Sequence, residues 1–148
     1  MSEQYSIVKA MVRDHGVIQK LLHDFKDKIT NEDTNFIQSF HRFEWALEKH
    51  LFTEEKAIFT MYTPDDVNQG YKMLPELTTQ HNALLNKLSL IREDIRKKRI
   101  PKDLTSFSEL LNNHKNYEEE HLYPKLDESL SDAEKKSIID KINDIVLQ

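Results

Sequence analysis

The 148-residue chain contains no cysteine. Disulfides, a catalytic thiol, thiolate zinc sites and cysteine-ligated iron–sulfur clusters are therefore excluded. Two glycines and four prolines leave little punctuation, so the elements should be long. No apolar run approaches the roughly 20 residues that a membrane-spanning helix needs. Cationic excess is also missing. Lys and Arg number 21 against 26 Asp and Glu, a net charge of −5 that gives no reason to expect nucleic acid or acidic membranes as partners. No protein partner is specified by these residues. The first twenty residues include Glu3, Lys9, Arg13 and Asp14, so no signal peptide is expected and the cytoplasm is the default compartment. The length suits one domain over 1–148, and 38% hydrophobic with 32% charged residues suits a helical soluble protein.

What is present is a pattern written twice. His50-x-x-x-Glu54-Glu55 returns as His114-x-x-x-Glu118-Glu119. On a helix, positions i and i+4 lie one turn apart on one face, so each copy aims an imidazole and a carboxylate at one spot. The match extends outward. Phe40, Phe43 and Leu47 correspond to Leu104, Phe107 and Leu111, and Ile58-Phe59 to Leu122-Tyr123. A second pair of segments repeats around His15 and His81. The offset is 66 residues for the first helix of each unit (15 to 81) and 64 for the second (50 to 114). The chain reads as two copies of one unit, about 6–64 and 72–128.

Apolar periodicity predicts helix 1 from about Ser6 to Ile29. Asn31 or Asp33 should cap helix 2, from about Thr34 to Tyr62. Thr63 to Asp66 and Asn68 to Gly70 read as a loop. Helix 3 should run from near Lys72, with Pro75 in its first turn, to about Lys98. Asp103 should cap helix 4, which reaches about Asp127 with Pro124 kinking or ending its last turn. Ser131 to Glu134 reads as a capping box for a short fifth helix over about 131–147. Nothing reads as a strand. The expected fold is all-α: an up-down-up-down antiparallel four-helix bundle with a fifth helix appended.

At about 100° per residue, His15, His50, Glu54, His81, His114 and Glu118 all fall on the apolar faces that meet in such a bundle. Taken singly, a lone His among apolar residues is more often a core histidine with one partner. A lone His-x-x-x-Glu is more often a surface ion pair worth a few tenths of a kcal/mol. Six such groups at matched positions change the balance. Buried carboxylates cost several kcal/mol each unless paired or metal-bound, and no Lys or Arg shares those faces. The pattern implies a cation. Imidazole with carboxylate suits iron, manganese or zinc. Two half-sites suggest two metals, each taking two His, with Glu54 and Glu118 bridging. The ferritin-like Glu-x-x-His signature appears once, at Glu118 and His121, but its counterpart in the first unit is Ala57.

The remaining candidates are peripheral. His41 falls opposite His50 and His23 at the edge of its face. His121 falls nearly in line with His114 as a possible extra ligand or outer contact, and Tyr117 as a possible hydrogen-bond donor. Glu55 and Glu119 point about 100° away from the bridging pair, towards solvent or the backs of ligands.

On Asp14-His15, Leu21-Leu22, His50-x-x-x-Glu54, Gln80-His81, His114-x-x-x-Glu118 and Leu122-Tyr123-Pro124, the chain resembles the hemerythrin-like His-His-Glu cation-binding family over about residues 8–126. The resemblance implies an oxo- or hydroxo-bridged di-iron centre in a four-helix bundle. It implies His15, His50, His81 and His114 as terminal ligands and Glu54 and Glu118 as bridges. Oxygen-carrying members place a second His one turn from the His81 position, where this chain has Leu77 before and Leu85 after. They also use a longer His-to-Asp spacing on helix 4. The paired His-x-x-x-Glu is more similar to the iron-sensing domain of an F-box ubiquitin-ligase subunit and to bacterial di-iron proteins that repair iron centres under nitric oxide stress. The latter carry a Cys-bearing segment that is missing here. Three readings stand on these residues: a di-iron protein that binds or reacts with oxygen or nitric oxide, or senses iron or redox state; a module for iron storage or delivery; and a bundle with a purely structural metal. No catalytic residue is singled out, and enzymatic turnover is left open.

Overall fold

Ser6 opens the first helix by accepting the Lys9 N–H on its side chain at 3.1 Å. Asp127, 120 residues on, completes the cap: its carboxylate accepts the Ile7 and Val8 N–H groups at 2.7 and 3.0 Å. A negative charge at a helix N-terminus satisfies free donors and the helix dipole together. The buried Lys135 ammonium stands 3.7 Å from the same carboxylate, which ties three chain segments at one end of the molecule. The computed structural model in which these contacts occur describes residues 6–59, 67–102 and 104–146, with the backbone alone for 67–74 and 143–146.

The elements are α1 (Ile7–Thr30), α2 (Phe36–Thr53), α3 (Val67–Arg96), α4 (Leu104–Tyr117), α5 (Tyr123–Ser129) and α6 (Asp132–Val146). Among the described residues there is no strand. Four long helices form the all-α up-down-up-down bundle, with α1 packed on α2, α3 on α4, and α6 laid across α1 and α2. The capping box of α6 is reciprocal. The Glu134 N–H donates to Ser131 Oγ at 3.2 Å, and the Ser131 N–H donates to Glu134 Oε1 at 2.9 Å.

Two boundaries differ from the sequence expectation. Asn31 closes α1 instead of opening α2, its N–H bonded to the Asp27 carbonyl. Asp33 accepts the Asn35 N–H at 2.9 Å in a local turn, and the cap position of α2 is Asn35, which makes no side-chain cap bond. α3 begins at Val67, so residues 68–70 are helical and Pro75 lies inside the helix. A single glycine costs a helix only about 1 kcal/mol, which burial of a 30-residue element outweighs. Helix 4 reaches past Asp127 as expected, but not as one α-helix: α4 ends at Tyr117, Glu118–Leu122 form a π-turn, and α5 follows from Tyr123 to Ser129 with Pro124 in its first turn. Asp103, the expected cap of α4, lies outside the described residues, as do 60–62 and the expected loop residues 63–66.

The breaks in the second helix of each unit are π-helical turns, at Glu54–Ile58 and Glu118–Leu122. Pro124 follows only the second of them. Both begin at the Glu of a buried His-x-x-x-Glu, so the proline is not needed for the turn.

Two apolar clusters stack along the bundle. One contains Ile18, Leu22, Phe43, Leu47, Leu84, Leu88, Phe107 and Leu111. The other contains Ile7, Met11, Ile58, Leu77, Leu122, Tyr123, Leu126, Ile138 and Ile142, so α6 covers that end. At about 1.5–3 kcal/mol for each fully buried large side chain, these clusters are what hold the helices in register. Between them each long helix contributes a polar residue: His15 on α1, His50 on α2, His81 on α3 and His114 on α4, with Glu54 and Glu118 at the start of the π-turns that follow α2 and α4.

Candidate metal centre

The six polar side chains of that layer are each at most 5% exposed, and both glutamates are 0% exposed. Glu54 Oε1 stands 3.2 Å from His50 Nε2 and 3.2 Å from His81 Nε2. Glu118 Oε1 stands 3.2 Å from His114 Nε2 and 3.3 Å from His15 Nε2. His15 and His50 face each other at 3.1 Å between their Nε2 atoms. The His81 and His114 rings meet edge to face at 4.8 Å. Each carboxylate thus touches one imidazole from each pair.

Every imidazole presents Nε2 to the cluster and has a partner behind Nδ1. Asp14 backs His50 at 2.5 Å and Gln80 backs His114 at 2.7 Å. Glu119 backs His15 at 2.7 Å and Glu55 backs His81 at 3.1 Å. Such a bond fixes the ring's orientation and leaves the other nitrogen to serve as a donor atom. Glu55 and Glu119 thus meet the backs of imidazoles. Asp14 and Gln80 precede an inward His by one residue, and each reaches the His of the neighbouring helix.

Electrostatics couples the layer. Burial opposes a charge on His50, but the Glu54 carboxylate and hydrogen bonds with Asp14, Glu118 and Glu54 outweigh it and hold its pKa well above the ordinary value. His81 likewise rises to about 10, with burial opposed by bonds to Glu118 and Glu54. His114 is raised for the same reasons. Burial and the Glu118 charge push the Glu54 carboxyl up, yet His50 and His114 pull it down to about 2. Burial also pushes the Glu118 carboxyl up, and hydrogen bonds, that with Glu54 foremost and then those with His114, His15 and His50, leave it well below the carboxylate range.

Tyr123 is the residue that sequence spacing missed. Its hydroxyl is 2.7 Å from Glu54 Oε2, 2.9 Å from Glu118 Oε1 and 3.3 Å from His15 Nε2. Burial, then the two carboxylates, push its pKa well above the ordinary value. On an uninterrupted helix Tyr123 would point about 180° away from His114. The π-turn holds one residue more per turn and sets the chain back by about 100°, towards the cluster. The corresponding turn at Glu54–Ile58 precedes Phe59, whose ring lies 5.2 Å from that of His81. A signal existed: where one unit has Phe59, the other has Tyr123.

The same setback turns His121 outward. It is half exposed, its ring 4.9 Å from Tyr117, with Glu120 as its ionic neighbour. Tyr117 packs at the edge of the second apolar cluster. His41 and His23 are exposed, beside Glu44 and Asp27.

The fit to a metal rests on buried donor atoms that face one another without forming hydrogen bonds. Glu54 Oε1, His81 Nε2, His114 Nε2 and Glu118 Oε2 are buried and make no hydrogen bond, an arrangement that costs about 1–3 kcal/mol per group if nothing else satisfies it. Glu54, His81, His114 and Glu118 offer one atom each within 4.8 Å of one another, as do His15, His50 and Glu118, so both groups can hold an ion. Nitrogen and carboxylate donors without sulfur suit iron, manganese or zinc. Residues 6–126 match the model of the hemerythrin HHE cation-binding domain. No curated protein and no solved structure matched the chain. That match covers most of the 148 residues and contains the whole polar layer: the chain belongs to the hemerythrin HHE cation-binding family.

Proposed function

We propose that the chain is a non-haem di-iron protein that binds or reacts with oxygen or nitric oxide. In this reading it is one cytoplasmic domain. One iron sits with His15 and His50 and the other with His81 and His114. Glu54 and Glu118 would be shared between the two ions. The observation that carries the reading is the convergence of four buried donor atoms that make no hydrogen bond, in a layer between two apolar clusters.

The size of the site supports a small ligand. A cavity with room for about one water molecule lies against His15, His50 and His114, walled by Ile18, Leu47 and Leu111, with Gln19 and Lys115 also lining it. A diatomic molecule is of that order and a metabolite is not. Bound iron would supply redox change and a free coordination position. The chain supplies the rest: four oriented imidazoles, two carboxylates, and walls that exclude bulk water. Leu77 is fully buried one turn before His81, so no fifth imidazole enters from that turn.

With fewer imidazoles than the oxygen carriers, the ferrous centre should oxidise in one direction. The protein is reduced anaerobically, oxygen is admitted and then removed, and the visible spectrum is followed. The expected result is a spectrum that stays oxidised until reductant is added, and a separate response of the reduced protein to nitric oxide. Full return to the reduced spectrum over repeated cycles would make this a reversible carrier. Silence towards both gases would remove the small-ligand reading and leave storage or a structural metal.

A further inference from the structure

The net charge of −5 conceals a face of the opposite sign. α1 and α2 pack antiparallel, with His15 against His50 and Phe25 against Phe40. That register sets Arg13 level with Phe52, Gly16 with Lys49 and Lys20 with Trp45. At 100° per residue, Trp45 and Phe52 fall about 20° apart on α2, on the side opposite Phe43 and Leu47. They are 52% and 58% exposed. Both rings therefore point away from the bundle.

Cations surround them. Lys9, Arg13 and Lys20 are exposed on α1 and fall within about 40° of one another. Arg42, Lys49 and Lys56 fall within about 40° on α2, beside the rings. The Lys49 ammonium stands 5.3 Å from the centre of the Trp45 ring, and that of Lys56 stands 6.0 Å from the Phe52 ring. The neighbouring carboxylates are engaged elsewhere. Asp14 holds His50, Glu55 holds His81, Glu44 and Glu48 hold Arg92, and Asp24 holds Lys28. Asp27, near the end of α1, stands beside His23. One face thus gathers six cations and two outward aromatic rings, while the acidic excess lies elsewhere on the molecule.

We propose that this outer α1–α2 face docks the protein on an anionic lipid surface, with Trp45 and Phe52 entering among the head groups and the six cations meeting their negative charge. The face lies outside the polar layer and does not depend on which ion that layer holds. Aromatic rings with a polar edge or a cationic neighbour settle at a lipid–water boundary. Lys and Arg lay their stems along that boundary and keep their charges in the head-group region. Each cation near an anionic surface strengthens binding about fivefold. A nucleic acid fits less well. The two rings stand two helical turns apart, roughly 10 Å, whereas successive bases of a strand lie about 3.4 Å apart. A protein partner fits less well too, since these rings stand proud of the surface instead of filling a packed pocket.

The test uses the full, metal-loaded chain with unilamellar vesicles of phosphatidylcholine alone or mixed with phosphatidylserine. Trp45 is the one tryptophan of the chain, so its fluorescence reports on this face alone. The serine-containing vesicles should sediment the protein and shift Trp45 emission to the blue, and added salt should reverse both. The neutral vesicles should do neither. Arg13→Gln combined with Lys49→Gln removes two charges and should weaken binding about 25-fold. Gly16→Glu sets a carboxylate among the cations, at a position where a Cβ meets nothing within 4 Å, and should weaken binding at least about fivefold. Lys102→Gln, in the segment after α3, should bind as wild type does. Helical circular dichroism verifies that each variant is folded. No binding to the serine-containing vesicles, equal binding to the neutral ones, or unchanged binding in the two face variants overturns the proposal. Tighter binding to single-stranded DNA than to vesicles of equal phosphate content overturns it as well.

Discussion

Glu118→Gln is expected to cost the protein both ions. Glu118 is the one residue present in both groups able to hold a cation. It is fully buried and stands 3.2–3.3 Å from one imidazole of each pair. Its amide would keep the shape and remove the charge, so either half would lose its shared carboxylate. The loss should exceed the 10–100-fold typical of an outer partner, and the metal-to-protein ratio after desalting should fall from about two to below one. Glu54→Gln should retain an ion at His15, His50 and Glu118. His41→Ala should retain both, since His41 lies on the exposed face beside Glu44. Helical circular dichroism separates metal loss from unfolding. A full complement of metal in Glu118→Gln contradicts the bridging assignment.

Removal of metal should lower the melting temperature substantially, and by more at pH 9 than at pH 6. A ligand bound at 1,000 times its Kd stabilises the native state by about 4 kcal/mol, which for about 150 residues is roughly 10–15 °C. The pH dependence follows from the metal-free layer, where imidazolium partly replaces the cation. His81 has a folded pKa of about 10, raised above its unfolded value near 6.5. Its contribution is therefore fully present below about pH 6.5 and is lost as pH rises through about 10. Glu54 has a folded pKa of about 2, depressed below an unfolded value near 4.3. Its contribution is present above about pH 4.3 and lost as pH falls through about 2. The metal-free protein should be most stable between about pH 4.5 and 6.5. Protons also compete with metal for the imidazoles, so affinity rises with pH. Melts with and without chelator at the two pH values check this. A gap that is constant or narrows towards pH 9 would mean that protons and metal do not share the site.

The six central residues were legible in the sequence because the four His lie on unbroken α-helical runs and Glu54 and Glu118 directly follow such a run, before the π-turn displaces the chain. The 100° rule therefore holds from His50 to Glu54 and from His114 to Glu118. Beyond those glutamates it fails. Tyr123 and Phe59 turn inward, and His121 turns outward, because a π-turn adds a residue that no periodicity count contains. Asp14 and Gln80 were invisible as supports for another reason. They sit beside the inward face, not on it, and act across to a neighbouring helix, a relation set by packing distance and not by spacing along the chain. The bundle itself was readable from apolar periodicity. The start of α3 was not, because Gly70 made Asn68 to Gly70 read as a loop, and the cost of one glycine is outweighed by the packing of a long helix.

The most direct test of the central claim is anomalous X-ray scattering at the iron edge from crystals of protein grown with iron. Two anomalous peaks inside the polar layer are expected, one beside His15 and His50 and one beside His81 and His114, with Glu54 and Glu118 between them. A single peak, or none within the layer in crystals whose solution shows bound iron, would contradict a di-iron centre built on these residues.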